Sequence, residues 1–247
     1  MNDDDVFKIC HPHRLVLNTP FDTKSIISYG LIVYAKSTQN WIIIQRKHSV
    51  EFMIYMKGLY RETFLPFLLS AITLEESYII KKCIELEFDF FSKVYIEDLG
   101  CSIEELSYAF LRFSETKHIV SKILDNIDNS KNTLKWTWPK GRLNIGYIRE
   151  SPYTCAIREF KEEVEIDLPP PLYISDNYIT ETCKTFMGRT IESKYWIYII
   201  DKEIPIVPPK QHTEVSDRKW VNTETVCDLF RNELLLKKII NMVQKLE

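Results

Sequence analysis

The sequence predicts a mixed α+β or α/β fold whose β segments are interrupted by one inserted α-helical subdomain. Three observations carry this: strand-like text over 26–47, apolar residues at three- and four-residue spacing from about Val50 to Ile127, and strand-like text again from Leu134 onward. With 247 residues, 45% of them apolar and 13% aromatic, the chain can bury one generous core or two modest ones.

Each element has its own signal. Ile26 to Tyr34 is rich in β-branched and aromatic side chains, Ser37-Thr38-Gln39-Asn40 supplies a turn, and Trp41 to Gln45 runs apolar again, which predicts a hairpin. Beyond Val50 the period changes, with Ile79, Cys83 and Leu86, then Leu106, Phe110 and Phe113, recurring on helical faces. Thr73 with Glu76, and Ser102 with Glu105, set a hydroxyl and a carboxylate three residues apart, the pattern of a capping box, so at least three helices are expected. A connection of roughly eighty residues is too long for a loop and predicts a subdomain with its own small core. After Asp128-Asn129-Ser130-Lys131-Asn132, Leu134 to Trp138 reads as a strand. Tyr178 to Phe186 and Glu192 to Ile200 read as a hairpin turning at Met187-Gly188-Arg189. Lys219 to Val221 closes the β text before helical periodicity through Val226, Phe230, Leu234, Ile239 and Val243. The expected division is an N-terminal extension (1–25), the first part of the main domain (26–48), the helical insert (49–131), and the second part with a C-terminal helix (132–247).

Charge narrows the function classes. Lys and Arg total 32 against 35 Asp and Glu, a net charge of -3 that gives no global field for steering onto a polyanion, so any nucleic-acid contact must be local. The insert alone carries nine Lys or Arg and fourteen Asp or Glu and is acidic. Met1-Asn2-Asp3-Asp4-Asp5 lacks the basic flank and apolar run of a signal peptide, and no stretch approaches ~20 apolar residues, so a soluble cytoplasmic protein without membrane contact is expected. The six cysteines (Cys10, Cys83, Cys101, Cys155, Cys183, Cys227) form no C-x-x-C pair and are expected to be reduced. Cys10-His11-Pro12-His13, crowded near the terminus, is not read as a metal site.

Ser151-Pro152 has the chemistry of a helix start: Ser accepts a first-turn amide, and Pro loses only a donor that would be unpaired there. Tyr153, Ala156, Ile157, Phe160 and Val164 form the apolar face, while Glu159, Glu162 and Glu163 at i, i+3 and i+4 converge on another. Such neighbours repel by a few tenths of a kcal/mol per pair, and the helix dipole disfavours Glu162 and Glu163 near its C-terminus. Either a cation compensates, or this is a solvated acidic surface relieved by Arg158 to Glu162 and Lys161 to Glu165 ion pairs. The helix alone leaves both open.

Its surroundings decide more. Trp136-Thr137-Trp138-Pro139-Lys140-Gly141, then Glu150, then Arg158-Glu159-Phe160-Lys161-Glu162-Glu163 resembles the Nudix box: a glycine-started loop, a glutamate, seven residues, then R-E-apolar-x-E-E. Two positions depart from it. The pattern's glycine should fall at Asn144, whereas Gly141 comes three residues early, which reads as a three-residue loop insertion with Gly146 as the other candidate. The glycine expected after the helix is Glu165, which enters the left-handed region less cheaply and is expected to alter the helix end.

The resemblance implies the Nudix αβα sandwich, and Mg2+ or Mn2+ held by Glu159, Glu162 and Glu163, with the Gly141 carbonyl as a further ligand. Hard oxygen donors suit those ions, which polarise phosphate oxygens and lower the pKa of an attacking water. It implies catalytic roles for Glu163, Glu162 and Glu159, joined by Glu214 from the loop ahead of the last strand. Lys140, Arg46 and Lys47 are placed to bind substrate phosphate, and an ion pair of Glu150 with Arg158 orients loop and helix.

The Trp-x-Trp-Pro-Lys-Gly lead-in resembles that of mRNA-decapping enzymes. The helical insertion between hairpin and box, with Ser28-Tyr29-Gly30-Leu31-Ile32, Gln45-Arg46-Lys47-His48-Ser49 and Cys155-Ala156-Ile157-Arg158-Glu159-Phe160, resembles the decapping Nudix enzymes of large nucleocytoplasmic DNA viruses over roughly 26–221. That resemblance implies a capped mRNA partner in the host cytoplasm, cleavage to m7GDP and 5'-monophosphorylated RNA, and RNA contact by the insert. Because the insert is acidic, such contact needs a local basic stripe, for which Lys81, Lys82, Arg112, Lys117 and Lys122 are the candidates. The same chemistry on a diphosphoinositol polyphosphate or a dinucleoside polyphosphate is the alternative, and an inactive RNA- or protein-binding scaffold is the second. The sequence leaves the oligomeric state open.

Overall fold

A computed structural model describes residues 25–144, 150–184, 190–208, 214–230 and 232–245. The Cys10 to His13 segment, Gly146 and the Met187 to Arg189 turn lie outside them.

Eight strands form one mixed sheet: β1 (Ile26–Ala35), β2 (Asn40–Arg46), β3 (Trp136–Thr137), β4 (Lys140–Gly141), β5 (Tyr173–Ile174), β6 (Ile179–Lys184), β7 (Thr190–Ile200) and β8 (Val215–Asn222). β1 runs parallel to β7 along its whole length, from Ile26 opposite Ile191 to Ala35 opposite Ile200. β2 pairs antiparallel with β1, β3 and β8, and β6 with β7. The last strand is longer at its start than the sequence suggests, because β2 offers it a full antiparallel ladder.

Alternation along β1, β2 and β7 divides two apolar layers. Leu31, Val33, Ala35, Ile42, Ile44 and Tyr198 face α5 (Pro152–Val164), which buries Cys155, Ala156, Phe160 and Val164 against them. Ile32, Tyr34, Ile43, Tyr195 and Ile197 face the opposite side, covered by α6 (Thr223–Leu229) and α7 (Glu233–Gln244). Helix, sheet and helix therefore stack in three layers, the architecture expected of a sheet apolar on both faces. The C-terminal periodicity is two helices: Phe230 is extended and Asn232 caps α7. This re-phases the pattern, so Leu235 and Leu236 are buried while Leu234 is 68% exposed.

Between β2 and β3 lie α1 (Val50–Met56), α2 (Leu65–Ala71), α3 (Leu74–Lys93) and α4 (Ile103–Leu124). Phe52, Tyr55, Leu68, Leu69, Ile80, Phe91, Tyr95 and Phe113 form a core to which, among the described residues, only those between Phe52 and Ile127 contribute. The Thr73 and Glu76 capping box is formed. Ser102 makes no side-chain cap bond, and Glu105 instead accepts a hydrogen bond from Tyr95 at 3.4 Å. α3 kinks at Glu87 and ends in a π-turn over Val94–Asp98, neither marked by Pro or Gly.

The entry to these helices is clasped. The buried Glu76 carboxylate accepts the Ser49 amide at 2.6 Å, the Ser49 hydroxyl at 2.8 Å and the Thr73 amide at 2.8 Å. His48 Nε2 stands 3.0 Å from Asp98, which also pairs with Lys47. Among the described residues no helix is long and apolar enough to cross a membrane.

Candidate active site

The site lies where β2, β4, the start of β8 and α5 meet. Ser151 caps α5 by accepting the Thr154 amide at 3.1 Å, with Pro152 in the first turn. At the other end Glu165 takes the left-handed conformation after all (φ 56°, ψ 33°), at a cost of about 1–2 kcal/mol for a non-glycine residue. The buried Arg218 of β8 offsets it, donating to the Val164 carbonyl and standing 3.3 Å from the Glu165 carboxylate. Lys161 pairs with Asp167 rather than with Glu165.

Arg158 organises the outer carboxylates. Its Nε reaches Glu150 at 2.8 Å, its Nη1 reaches Glu159 at 2.8 Å and Glu162 at 2.9 Å, and its Nη2 donates to the Arg142 carbonyl at 2.9 Å. The pair with Arg158 holds the Glu150 carboxyl at about 2. Loop and helix are thereby fastened together.

The three helix glutamates do not meet at one point. Glu162 is turned outward on Arg158, its side chain 57% exposed, whereas Glu163, one residue further round the helix, faces inward and accepts the Lys140 backbone amide at 2.8 Å. Among the described residues no three carboxylate, histidine or cysteine side chains already form a metal cage. What Glu163 meets is a mixed field: burial pushes its carboxyl up to about 8, Arg46 draws it down, and Glu159 and Glu214 push it up. Burial raises Glu159 as well. Glu214 is brought beside this group by its own backbone, whose carbonyl accepts the Lys47 amide at 2.8 Å where β8 joins β2.

Gly141 stands against Glu159: a Cβ at this position would fall well inside contact distance of the carboxylate carbon and both oxygens. Gly30 is equally constrained, since a Cβ there would strike the Pro139 carbonyl where β4 crosses β1. Two glycines thus allow strand, loop and carboxylate to approach this closely. The donor set is hard oxygen, with Glu159 and Glu163 partly desolvated and raised by neighbouring carboxylates, which fits a divalent cation of the Mg2+ or Mn2+ kind.

The basic residues are distributed differently from the sequence expectation. Arg46 lines a cleft of about 210 Å3 together with Lys47, His48, Glu214 and the insert residues Met53, Asp98, Leu99 and Gly100. Lys47 is committed to Asp98. Lys140 Nζ points into the molecule, 2.7 Å from the Tyr195 hydroxyl and 3.0 Å from that of Ser193. Tyr195, Ser193 and Glu181 were not singled out by the sequence, and spacing carries no signal for them. Cys155 lies beneath the site, its thiol pushed to about 12 by burial, and the five described cysteines are all free.

The NUDIX domain family's sequence pattern matches residues 119–242, just over half of the chain. The chain belongs to the Nudix family. It is 31% identical over 118 residues to the RNA pyrophosphohydrolase of Pelagibacter ubique, covering 43% of this chain and 70% of that one. It is 29% identical over 235 residues to the mRNA-decapping protein g5R of African swine fever virus, covering 84% of this chain and 89% of the viral protein. A C. elegans Ap4A hydrolase structure aligns over 89% of this chain and 98% of its own at a TM-score of 0.46 and 15% identity. The Nudix chain is thus an α+β pyrophosphohydrolase of a family that depends on divalent metal ions, and it resembles viral decapping enzymes.

Proposed function

We propose that this Nudix hydrolase is an mRNA-decapping enzyme, cleaving the cap phosphoanhydride to m7GDP and 5'-monophosphorylated RNA. The observation that carries the reading is the extent of the viral alignment, which covers 84% of this chain and therefore includes at least part of the helical insert. The 210 Å3 cleft supports it, because insert and core line it jointly beside Glu214.

In this reading Glu159, Glu163 and Glu214, with Glu162 once it turns from Arg158 and with the Gly141 carbonyl, hold Mg2+ or Mn2+. The ion supplies charge neutralisation at the anhydride and a more acidic attacking water. Arg46 faces the substrate phosphates from the end of β2. The partly buried Glu163 carboxylate, kept in place by the Lys140 amide, holds charge where water is excluded, and Glu150 with Arg158 fixes the loop. The insert (49–131) is taken as an inserted subdomain that contacts RNA, and the host cytoplasm as the place of action.

One observation favours a smaller substrate, a dinucleoside or diphosphoinositol polyphosphate. Three of the insert's nine basic residues are occupied locally: Lys81 pairs with Asp125 at 2.8 Å, Lys117 with Glu87 at 2.7 Å and Arg112 with Glu115 at 2.9 Å. Such exposed pairs are weak enough for RNA phosphates to displace. Product chromatography on cap-labelled RNA with Mn2+ or Mg2+ separates the readings. Labelled m7GDP released faster than any soluble polyphosphate is turned over supports decapping; its absence with both metals overturns it.

A further inference from the structure

Lys140 connects two places. Its backbone N–H donates to Glu163 at 2.8 Å, while its side chain enters a polar cluster within the apolar layer under α7. There Nζ donates to Tyr195 at 2.7 Å and to Ser193 at 3.0 Å, and lies 3.9 Å from Glu181. Tyr195, fully buried, passes the interaction on by donating to Glu181 at 3.3 Å. Glu181 in turn accepts from Asn232 at 3.2 Å, the residue that caps α7, and Ser193 accepts from Ser28 at 3.1 Å.

To reach a substrate phosphate, the Lys140 ammonium would have to leave both hydroxyls. Each buried polar group left without its partner costs about 1–3 kcal/mol. The ammonium is therefore an anchor, and what it anchors is the backbone at residue 140.

We infer that Tyr195 and Glu181 are positioning residues for Glu163: by holding the Lys140 side chain they fix the amide that aims the Glu163 carboxylate at the metal. This rests on the reading of Glu163 as a metal ligand. Partners one shell beyond a ligand typically change metal affinity by about 10–100-fold when removed. A polar cluster that only stabilised the core would leave metal affinity untouched.

The test is titration of the full chain with Mn2+ alone, read by the electron paramagnetic resonance signal of free Mn2+, beside melts in chelator and steady-state kinetics. Tyr195→Phe keeps the buried ring and removes one hydroxyl. It is expected to weaken Mn2+ binding at least tenfold and to lower kcat while KM stays within about twofold. Lys140→Met should do the same, whereas a phosphate-binding lysine would raise KM and leave Mn2+ affinity alone. Glu181→Leu, which removes the acceptor of the Tyr195 hydroxyl and the carboxylate nearest the Lys140 ammonium, should weaken Mn2+ binding in the same direction. With Lys140→Met it carries the test if Tyr195→Phe does not fold; wild-type Mn2+ affinity in both would overturn the inference. A folded Tyr195→Phe protein with wild-type Mn2+ affinity overturns the inference. If Glu163→Gln also binds Mn2+ like wild type, the ligand reading itself falls; if Glu163→Gln alone loses affinity, only the positioning role does.

Discussion

Gly141→Ala tests the site with a single methyl group. The new Cβ would overlap the Glu159 carboxylate, and ordinary contact begins at 3.4 Å, so the carboxylate must withdraw by more than 1 Å. The backbone at 141 is not in the left-handed region, and the atoms displaced are the far end of a flexible side chain, so the fold should tolerate the change. Stability in chelator should stay within about 1 kcal/mol of wild type, as for Gly to Ala at compatible positions. A misplacement of this size at a reacting centre costs on the order of 100-fold in rate. The assay is turnover on capped RNA against Mn2+ concentration, beside a denaturant melt. Wild-type turnover at every Mn2+ concentration would refute the idea that Glu159 must stand where Gly141 admits it; a large loss of stability would instead show that the loop, not the carboxylate, absorbs the methyl.

Three further outcomes follow. Glu163→Gln should lower turnover by orders of magnitude while leaving the metal-free fold intact. Burial raises this carboxyl from 4.5 to about 8, so its protonated form adds stability that is full below about pH 4.5 and lost as pH rises through about 8. Chelator-treated wild type should therefore melt lower across that window, and a variant that keeps the same slope would count against the assignment. Arg158→Ala should cost about 1–3 kcal/mol as well as activity, because Glu150, Glu159 and the Arg142 carbonyl all lose a donor. Glu150, held near 2 by Arg158, adds stability present above about pH 4.5 and lost as pH falls toward 2, so acid melts of the variant should lack that fall. Glu76→Ala should cost about 2–4 kcal/mol in a denaturant melt by leaving two Ser49 donors and the Thr73 amide without an acceptor, and a loss below about 0.5 kcal/mol would be inconsistent with the clasp.

Local chemistry was legible in the sequence, and long-range chemistry was not. The caps at Thr73 and Ser151 and the apolar face of α5 depend on residues close together in the chain, where spacing fixes geometry, whereas the pairing of Glu150 with Arg158 was implied by the Nudix resemblance. The offset of Glu165 by Arg218 joins positions fifty-three apart, and the anchoring of Lys140 on Tyr195 joins positions fifty-five apart. No periodicity reports such pairs. Glu162 and Glu163 show the limit even at short range: adjacent on a helix, they differ by about 100° in direction, enough to send one to Arg158 and the other to the Lys140 amide. Leu234 was misplaced because the extended Phe230 and the Asn232 cap start a second helix and shift the helical phase.

The end of β2 assigns three consecutive residues to three neighbours. Arg46 faces the carboxylates, Lys47 is shared between Asp98 and the Glu214 carbonyl, and His48 sits on Asp98 and near Glu76. The helical block is therefore wired in series with the candidate site rather than appended to it. Excision of 49–131 to test the proposed RNA contact would also free the strand end that sets Arg46 and Glu214, so a loss of activity on capped RNA would not by itself locate that contact in the insert. Charge reversals on the outer faces of α3 and α4 leave that wiring whole, and they are the cleaner test of whether the insert takes the proposed part in RNA recognition.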